Sequence, residues 1–480
     1  MQKEIVIAFE NSSVAPWFAT ALKFYARNRS VKIFLLLMSP KRRGQSWVEK
    51  IFFRRFFTIF GYENIAESFD TLEENIDIPL LGFVSGRSQN FLTATLGPEK
   101  CFFVAKGNLF TSPGFRGFWH YIVQFFSFGR PLVFEDAEKK CFYHAWFQTR
   151  AFRFSRNVKY LCFNIEKILD YMVFGTPLGY PVSDRQFPKM NLLKKFAAYP
   201  FWEFYHKGRN KLFKPRWHLV QTTVGALRDN KRLKGKYLDS LDDGGWADPF
   251  LISHEGKIFL FAEHIVNGKG QLAISQYNPQ LHRIEGKPVT ILKTDTHLSY
   301  PFVFRVKDDW YMMPESSEAR ELVIYKATDF PYKWERFREV FKDGDWLDTT
   351  PFYYHEKWWI FSNHKPSENA STYQELYLFY CDDILQDQWI SHPQNPVVSD
   401  NRCARPAGPL FVRDEKLYRP GQNCSRIYGG RVSLCEVIKL TETEYQEHCA
   451  EEIYFPWYSR KTSFHTLNIM GDLVMGDCKF

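Results

Sequence analysis

The sequence has no C-x-x-C pair, no phosphate-cradling G-x-x-x-x-G-K-[ST] loop and no apolar run that approaches the length of a membrane-spanning helix. The first absence argues against a cysteine-held zinc site. The second argues against a P-loop nucleotidase. After the N-terminus the longest apolar stretch, Val31 to Met38, contains Lys32 and falls far short of the roughly 20 residues that a span requires. The start, MQKEIVIAFENSS, has a short apolar run ended by Glu10 and no small-residue cleavage site, so it reads as a first β-strand and not as a signal peptide. The nine cysteines are odd in number and sit mostly inside apolar runs, as reduced core thiols do. A soluble, cytoplasmic chain is the expectation, with no metal and no cofactor. Nucleic acid is not an expected partner, because no module signature is present and the charge is not gathered into one basic run.

Aromatic residues, by contrast, are abundant: 18% of the 480 positions, within a hydrophobic share of 45%, enough to build a large packed interior without disulfides. At this length two domains are expected. The net charge of +9 is concentrated in the first half, for example at KRR (41–43) and KIFFRRFF (50–57). That second stretch can lie on an anionic membrane surface, giving a peripheral contact at the inner face. The alternative is an amphipathic helix packed on its own domain with solvated arginines.

The two halves follow different patterns. In the first, KEIVIAF (3–9) reads as a strand, SSVAPWFATALKFYARN (12–28) as a capped helix and VKIFLLLM (31–38) as a second buried strand, an order that implies a parallel, Rossmann-like α/β sheet. Helix is expected between about 45 and 75, short strands from 78 to 150 and a further helix over 157–174. A Pro- and Lys-rich connector, 176–214, then separates a domain of residues 1–175 from one of 215–480.

The second half is nearly all β, and it repeats. WADPFLISHEGKIFLFAEH (246–264), LSYPFVFRVKDDWYMMPES (298–316) and WLDTTPFYYHEKWWIFSNH (346–364) each show a strand, a charged turn and a second strand ending in a polar group. Asp248 to Glu263, Tyr300 to Glu315 and Asp348 to Asn363 are all separated by 15 positions. RPAGPLFVRDEKLYRPGQN (405–423) and FHTLNIMGDLVMGD (464–477) continue the series, so the starts are spaced by 52, 48, 57 and 60, near the period of propeller blades. A five-bladed β-propeller follows. The fifth copy runs out after two strands, and WHLVQTT (217–223) is the expected donor of a further strand, which closes the ring.

Equivalent residues of the innermost strands converge on one mouth. The leading positions are Asp248, Tyr300, Asp348, Arg405 and His465 with Asn468 nearby, and the second strands end at Glu263 with His264, Glu315, Asn363 with His364, and Gln422. Glycosidic chemistry needs one carboxylic acid and one carboxylate, and mutual repulsion within such a ring raises at least one pKa. Asp248, Glu315 and Asp348 are therefore the catalytic candidates, and the others are substrate-binding candidates. Because the same slot holds Tyr300 and Arg405 elsewhere, blade geometry does not demand Asp. Trp246 and Trp346, each two residues before an Asp, can offer stacking faces to sugar rings or can pack between blades. Arg405 is expected to hold an anionic or hydroxyl group of the substrate.

The ordered motifs WADPF, HLSYPF, MPES, WLDTTPF, RPAGPLF, GQNCSRIYGGRVSL and HTLN resemble the propeller domain at the N-terminus of glucosamine inositolphosphorylceramide transferases and of related bacterial proteins. That domain is in turn similar to the five-bladed arabinofuranosidase, xylosidase and fructosidase glycosidases. The resemblance implies an Asp of the first blade as base or nucleophile, matched by Asp248, an Asp of the third blade that tunes and orients, matched by Asp348, and a Glu as acid. Where that Glu is sought in the fourth blade, this chain has Arg405 and Gln422, so Glu315 is the candidate. More faintly, GFRGFWHY (114–121), RPLVFEDAEKKCFYHAWFQT (130–149) and SRNVKYL (155–161) resemble formyltransferase-like domains. That family's Asn-x-His pair is missing, since Leu109 and Phe110 follow Asn108, and Asp136 lies closer than the family spacing, which implies a scaffold or a sugar-nucleotide or partner-binding unit. The functional expectation is a carbohydrate-active protein of cell-surface glycan assembly that makes or breaks a sugar linkage, by glycosyl transfer or hydrolysis, with a glycan or sugar nucleotide as partner. The alternatives are a non-catalytic glycan-binding module and an N-formyl or N-acyl transferase acting on an amino sugar.

Overall fold

The computed structural model describes residues 3–9, 13–14, 16–37, 63–64, 70–71, 80–83, 101–104, 132–136, 141–145 and 154–179, then 216–229, 236–238 and 244–479 apart from 387, 426 and 455–462. The chain divides into two compact units, Met1–Leu178 with Phe187–Ala197, and Gly179–Gln186 with Ala198–Phe480.

In the first unit, strand β1 (Lys3–Phe9) buries Ile5, Ile7 and Ala8 completely. A two-residue strand β2 (Ser13–Val14) and helix α1 (Pro16–Arg29) lead to β3 (Val31–Leu37), which pairs with β1 in parallel. The strands β4 (Glu63–Asn64), β5 (Asp70–Thr71), β6 (Leu80–Phe83), β7 (Cys101–Val104), β8 (Leu132–Asp136) and β9 (Cys141–Ala145) follow. Seven of these form one sheet in the order β5-β3-β1-β6-β7-β8-β9, parallel through β7 and antiparallel beyond it. Helix α2 (Phe154–Phe174) buries Leu161, Ile165, Ile168 and Leu169 on one stripe and ends at Gly175, whose φ of 71° and N–H bond to the Tyr171 carbonyl make a left-handed cap. Asp170 on α2 accepts Tyr25 Oη at 3.0 Å and Arg29 Nη2 at 2.7 Å from α1.

Two expectations change here. The segment read as helix over 45–75 contains β4 and β5, and the described helix begins at Pro16 because Ser13 and Val14 are drawn into a ladder with Asn64 and Glu63. The basic stretches 41–43 and 50–57, GFRGFWHY, Asn108 and most of the 176–214 connector lie outside the described residues.

The second unit is the propeller. Strand β10 (Trp217–Thr223), a short helix α3 (Val224–Asp229) and β11 (Lys236–Tyr237) precede the first complete blade. Blade one is β12 (Gly245–His254), β13 (Lys257–Val266), β14 (Lys269–Asn278) and β15 (Arg283–Leu292). Blade two is β16 (Ser299–Val306), β17 (Asp309–Glu315), β18 (Leu322–Asp329) and β19 (Lys333–Phe341). Blade three comprises β20 (Trp346–Tyr354), β21 (Lys357–His364), β22 (Glu375–Cys381), β23 (Ile390–Ser391) and β24 (Val398–Ser399). Blade four comprises β25 (Arg405–Pro406), β26 (Phe411–Arg413), β27 (Lys416–Asn423), β28 (Arg431–Leu440) and β29 (Tyr445–Ile453). Blade five combines both ends of the domain: β30 (Leu467–Met470) and β31 (Leu473–Lys479), then β10 and β11. All seven residues of β10 pair antiparallel with β31, from Trp217 opposite Lys479 to Thr223 opposite Leu473. The ring is closed by the donor strand that the sequence pattern points to.

Tight turns set the register. Glu255 and Gly256, His355 and Glu356, and Asp414 and Glu415 all have positive φ, the backbone that twists a two-residue hairpin to match its strands. Apolar clusters fill the wedges between blades. One joins Phe261, Leu272, Val323 and Ile360 across blades one to three, and another joins Leu219 of β10 to Trp246, Leu260 and Met475 across the closure.

Candidate functional site

Each of the first three blades breaks its innermost strand at one place. The pairing skips between Ala247 and Phe250, between Ser299 and Phe302, and between Leu347 and Thr350. The first residue of every bulge is left-handed: Asp248 at φ 49°, Tyr300 at 48° and Asp348 at 46°. For a bulky residue such a backbone costs on the order of 1–3 kcal/mol, so the surroundings must hold it in place. Bulges re-aim side chains, and these reach into neighbouring blades.

Opposite each bulge, the second strand ends in a carboxylate or a carboxamide. Glu263 faces Ala247, Glu315 faces Ser299, Asn363 faces Leu347 and Gln422 faces Arg405, all of them buried. Asp477, fully buried on β31, completes the ring from blade five. Two members bridge to the next blade: Asp477 Oδ2 accepts the Asp248 N–H at 2.9 Å, and Glu315 Oε2 accepts the Asp348 N–H at 3.2 Å. Asp248 Oδ2 in turn accepts the Tyr300 N–H at 3.2 Å. The backbone donors that the bulges remove from the ladder are thereby satisfied.

Three charged groupings result. In the first, Arg405 donates through Nε to Asp348 Oδ2 at 2.7 Å and through Nη2 to Asp348 Oδ1 at 3.1 Å and Glu315 Oε2 at 3.0 Å. Gln422 Nε2 also donates to Asp348, and Ser317 Oγ to Glu315 Oε1 at 2.9 Å. Burial pushes the Asp348 carboxyl up to about 7, with the Arg405 guanidinium drawing it the other way. In the second grouping, His465 Nδ1 meets Asp477 Oδ1 at 2.7 Å, its Nε2 lies 3.7 Å from Asp248 Oδ1, and Thr466 Oγ1 donates to that same oxygen at 2.6 Å. Burial lowers the His465 pKa, but Asp477 and Asp248 outweigh it and lift the imidazole to about 9, so the ring is cationic at neutral pH. Burial, with help from the Asp348 and Asp477 carboxylates and against His465, pushes Asp248 up to about 6.

The third grouping is Glu263 with His297, whose Nε2 donates to Glu263 Oε1 at 2.9 Å. The Gly270 N–H donates to His297 Nδ1 at 3.0 Å, which favours the neutral ring with its proton on Nε2, although Glu263 raises the ring's pKa. Burial pushes Glu263 up to about 7. A Cβ at Gly270 would stand 2.5 Å from Glu263 Oε1, so only glycine fits beneath this pair.

An aromatic rim flanks these groups. Trp217 stacks on His465 with centroids 4.2 Å apart, Tyr428 lies edge-on to His465 at 5.3 Å, and Tyr428 and Tyr373 cover the Arg405 guanidinium at 5.4 and 5.9 Å. Trp217, Tyr373 and Tyr428 are all half-buried.

The structure thus brings Asp248, Glu263, Glu315, Asp348, Arg405, Gln422 and His465 together around the ring. Several sequence expectations are corrected. Trp246 is 3% exposed and stacked on its cross-strand partner His264, and the half-buried Trp346 is stacked on the half-buried His364, both at 4.1 Å, so each indole has one face taken up by packing within its own blade. Arg405 is already held by two carboxylates and is not open to a substrate anion. Asn468 Oδ1 accepts the Leu251 N–H at 3.2 Å, stitching blade five to blade one. Tyr300 is completely buried, with Oη 2.8 Å from Thr350 Oγ1. Asn363 donates to the Glu375 carbonyl at 2.7 Å, while its Oδ1 is buried without a partner among the described residues. Asp477, Thr466, His297 and the aromatic rim were not among the candidates. Asp477 escapes notice because it follows His465 by 12 positions where the first three copies show 15, yet MGD at 475–477 carries the same strand-ending acid.

Residues 242–461 match the family model described as glucosamine inositolphosphorylceramide transferase 1, N-terminal. This is the family that the repeat motifs resemble. Among curated proteins, glucosamine inositolphosphorylceramide transferase 1 of Oryza sativa subsp. japonica is 36% identical over 205 residues, 42% of this chain and 27% of that protein. The Arabidopsis thaliana protein of the same name is 31% identical over 206 residues, 42% of this chain and 26% of its own. The chain thus spans about a quarter of the length of these relatives. Among solved structures, an α-L-arabinofuranosidase from Podospora anserina is 13% identical, with a TM-score of 0.36 over 55% of this chain and 97% of its own. A family 117 glycoside hydrolase from Zobellia galactanivorans is 14% identical, with a TM-score of 0.36 over 55% and 90%.

Proposed function

We propose that the propeller mouth binds a carbohydrate and makes or breaks a sugar linkage in glycan assembly, with glycosyl transfer as the preferred reaction. The observation that carries this reading is the set of three buried carboxyls with raised pKa values, Asp248 to about 6, Glu263 to about 7 and Asp348 to about 7, gathered on one axis by positions that the fold does not require to be acidic. Groups poised near neutral pH suit proton transfer to or from a sugar oxygen. Asp348 is bound on both oxygens by Arg405, which supports a part in orientation and charge over proton transfer. Asp248, beside the His465 imidazolium, is the base or nucleophile, and Glu263 with His297 is the acid in place of Glu315, whose oxygens hold Ser317, Arg405 and the Asp348 backbone. Trp217, Tyr373 and Tyr428 supply the faces on which sugar rings stack.

For the first unit, the proposed reading is a formyltransferase-like α/β domain without that chemistry. Its support is the parallel order of β1, β3, β6 and β7 with α1 between the first two. The deciding experiment for the mouth is to screen amino-sugar, inositol-phosphate and glucan ligands against wild type, Asp248→Asn and Glu263→Gln, reading affinity and turnover together. Turnover lost with affinity kept supports catalysis. Affinity without turnover in the wild type leaves a glycan-binding module.

A further inference from the structure

A second cluster of chemistry lies in blade four, away from the acidic ring. Arg419 on β27, Cys435 on β28 and Cys449 on β29 are direct cross-strand partners, so they form one row on one face of the blade. The Cys435 thiol hydrogen-bonds the thiols of both Cys449 and Cys403. Cys435 and Cys403 are buried to within 1% of completely, whereas Cys449 is only half-buried, so the row runs from the surface inward. Residues directly opposite on antiparallel strands have Cα atoms about 4.5–5.5 Å apart, inside the window of about 4.4–6.8 Å that a disulfide spans.

Beside the thiols, Glu447 is gripped by Arg419 through Nε at 2.7 Å and through Nη2, and it also receives the Tyr445 hydroxyl. Although a Glu447 oxygen and the sulfurs of Cys403 and Cys435 lie within 4.8 Å of one another, that carboxylate is held by Arg419 and Tyr445, which disfavours a metal among the described residues. Arg419 Nη1, by contrast, is buried with no hydrogen-bond partner among the described residues, a donor in place for an oxidised or anionic sulfur on the neighbouring strand.

We propose that Cys403, Cys435 and Cys449 form an oxidative modification site, at which a hydroperoxide acts on Cys449 and Cys435 resolves the product into a disulfide. The Cys449 sulfur attacks one peroxide oxygen: the S–O bond forms, the O–O bond breaks, the departing oxygen takes up the thiol proton and leaves as water from hydrogen peroxide or as an alcohol from an organic hydroperoxide, and the sulfur becomes a sulfenic acid, oxidised by two electrons. The Cys435 sulfur then attacks that sulfur. The S–S bond forms, and the S–O oxygen departs as water with the Cys435 thiol proton. Attack of Cys403 on the Cys435 sulfur moves the disulfide inward and returns Cys449 as a thiol, with no net redox change. Burial pushes the Cys403 thiol up to about 11, so proximity and not thiolate abundance drives these steps, and they are slow.

The test treats the full chain with hydrogen peroxide, quenches with catalase and maps peptides by mass spectrometry without reduction. A Cys435–Cys449 or Cys403–Cys435 linked peptide is expected in the wild type. Cys449→Ser should abolish both links at the same peroxide dose while melting like the wild type. Cys435→Ser should accumulate at least about tenfold more Cys449 sulfinic acid, because the resolving thiol is gone. Equal sulfinic acid in wild type and Cys435→Ser with no linked peptide overturns the proposal, as does an undiminished disulfide yield in Cys449→Ser. About one equivalent of zinc or copper in the purified protein, released on thiol alkylation, also overturns it, since the cluster is then a metal site.

Discussion

The Glu315 carboxylate of the second blade accepts the backbone N–H of Asp348 in the third at 3.2 Å, and the same oxygen receives the Arg405 guanidinium at 3.0 Å. The acid that holds the left-handed bulge is therefore also the partner of the cation that clamps the bulge's side chain. Breaking this pairing leaves a buried charge short of a partner. Asp348→Ala removes two of the guanidinium's carboxylate bonds and leaves a buried charge half-compensated, which should cost about 3–5 kcal/mol. Glu315→Gln retains an acceptor for the Asp348 N–H and should cost less than half as much. Denaturant melts of the two variants beside wild type check the order, and equal stabilities would remove the clamp from the account.

Asp248 and Glu263 belong to the other class. Asp248→Asn keeps an oxygen for either the Thr466 hydroxyl or the Tyr300 N–H but not both, and Glu263→Gln keeps the acceptor for His297, so both should fold, Asp248→Asn with the larger loss of stability. Each should lower turnover by at least about a hundredfold if it transfers a proton. Turnover within about twofold of wild type in either variant would take that residue out of the chemistry.

His465 makes stability depend on alkaline pH. Its folded pKa of about 9 lies above the ordinary 6.5. The folded state therefore binds the proton more tightly, so the stabilisation is complete below about pH 6.5 and is lost as the pH rises through about 9. At about 1.4 kcal/mol per unit this is roughly 3 kcal/mol for a buried imidazolium between two carboxylates. Stability curves at pH 8 and pH 10, above the range in which Asp348 and Glu263 titrate, should show the loss in wild type, and His465→Asn should remove the fall over that interval. A wild-type profile with no fall above pH 8 contradicts the assignment.

Ring closure rests on β10. Leu219 and Val220 are almost wholly buried there, worth about 1.5–3 kcal/mol each, and all seven ladder pairs with β31 are lost without the strand. A chain beginning at residue 230 should expose the β31 edge and aggregate or melt well below one beginning at residue 210. Matching melting curves would refute the closure.

The two aromatic sets should separate cleanly. Trp246→Ala opens a cavity in the wedge between blades one and five and should destabilise the protein by about 3–5 kcal/mol. Tyr373→Ala lies on the half-buried rim and should weaken glycan affinity with a much smaller effect on melting. The pair is read by isothermal titration and thermal melts, and a Tyr373→Ala variant that binds like wild type moves the sugar contact elsewhere.

The sequence by itself determined the blade count, the donor strand and the first-strand ring positions Asp248, Tyr300 and Asp348, because a repeat that must bury the same face five times writes its period into the chain. It also carried the strand–helix–strand order of the first unit from Lys3 to Leu37. Only the tertiary structure decided which polar residues are used for what. Trp246 and Trp346 read equally as sugar platforms or as packing between blades until cross-strand register lays His264 and His364 on them, and Arg405 reads as a substrate anchor until Glu315, 90 positions earlier, arrives from another blade. Two partners of Asp248 lie 218 and 229 positions away, at Thr466 and Asp477, brought near by ring closure alone. Charge pairing, burial and the pKa values that follow depend on distance in space, and local pattern has no access to contacts made across a closed ring.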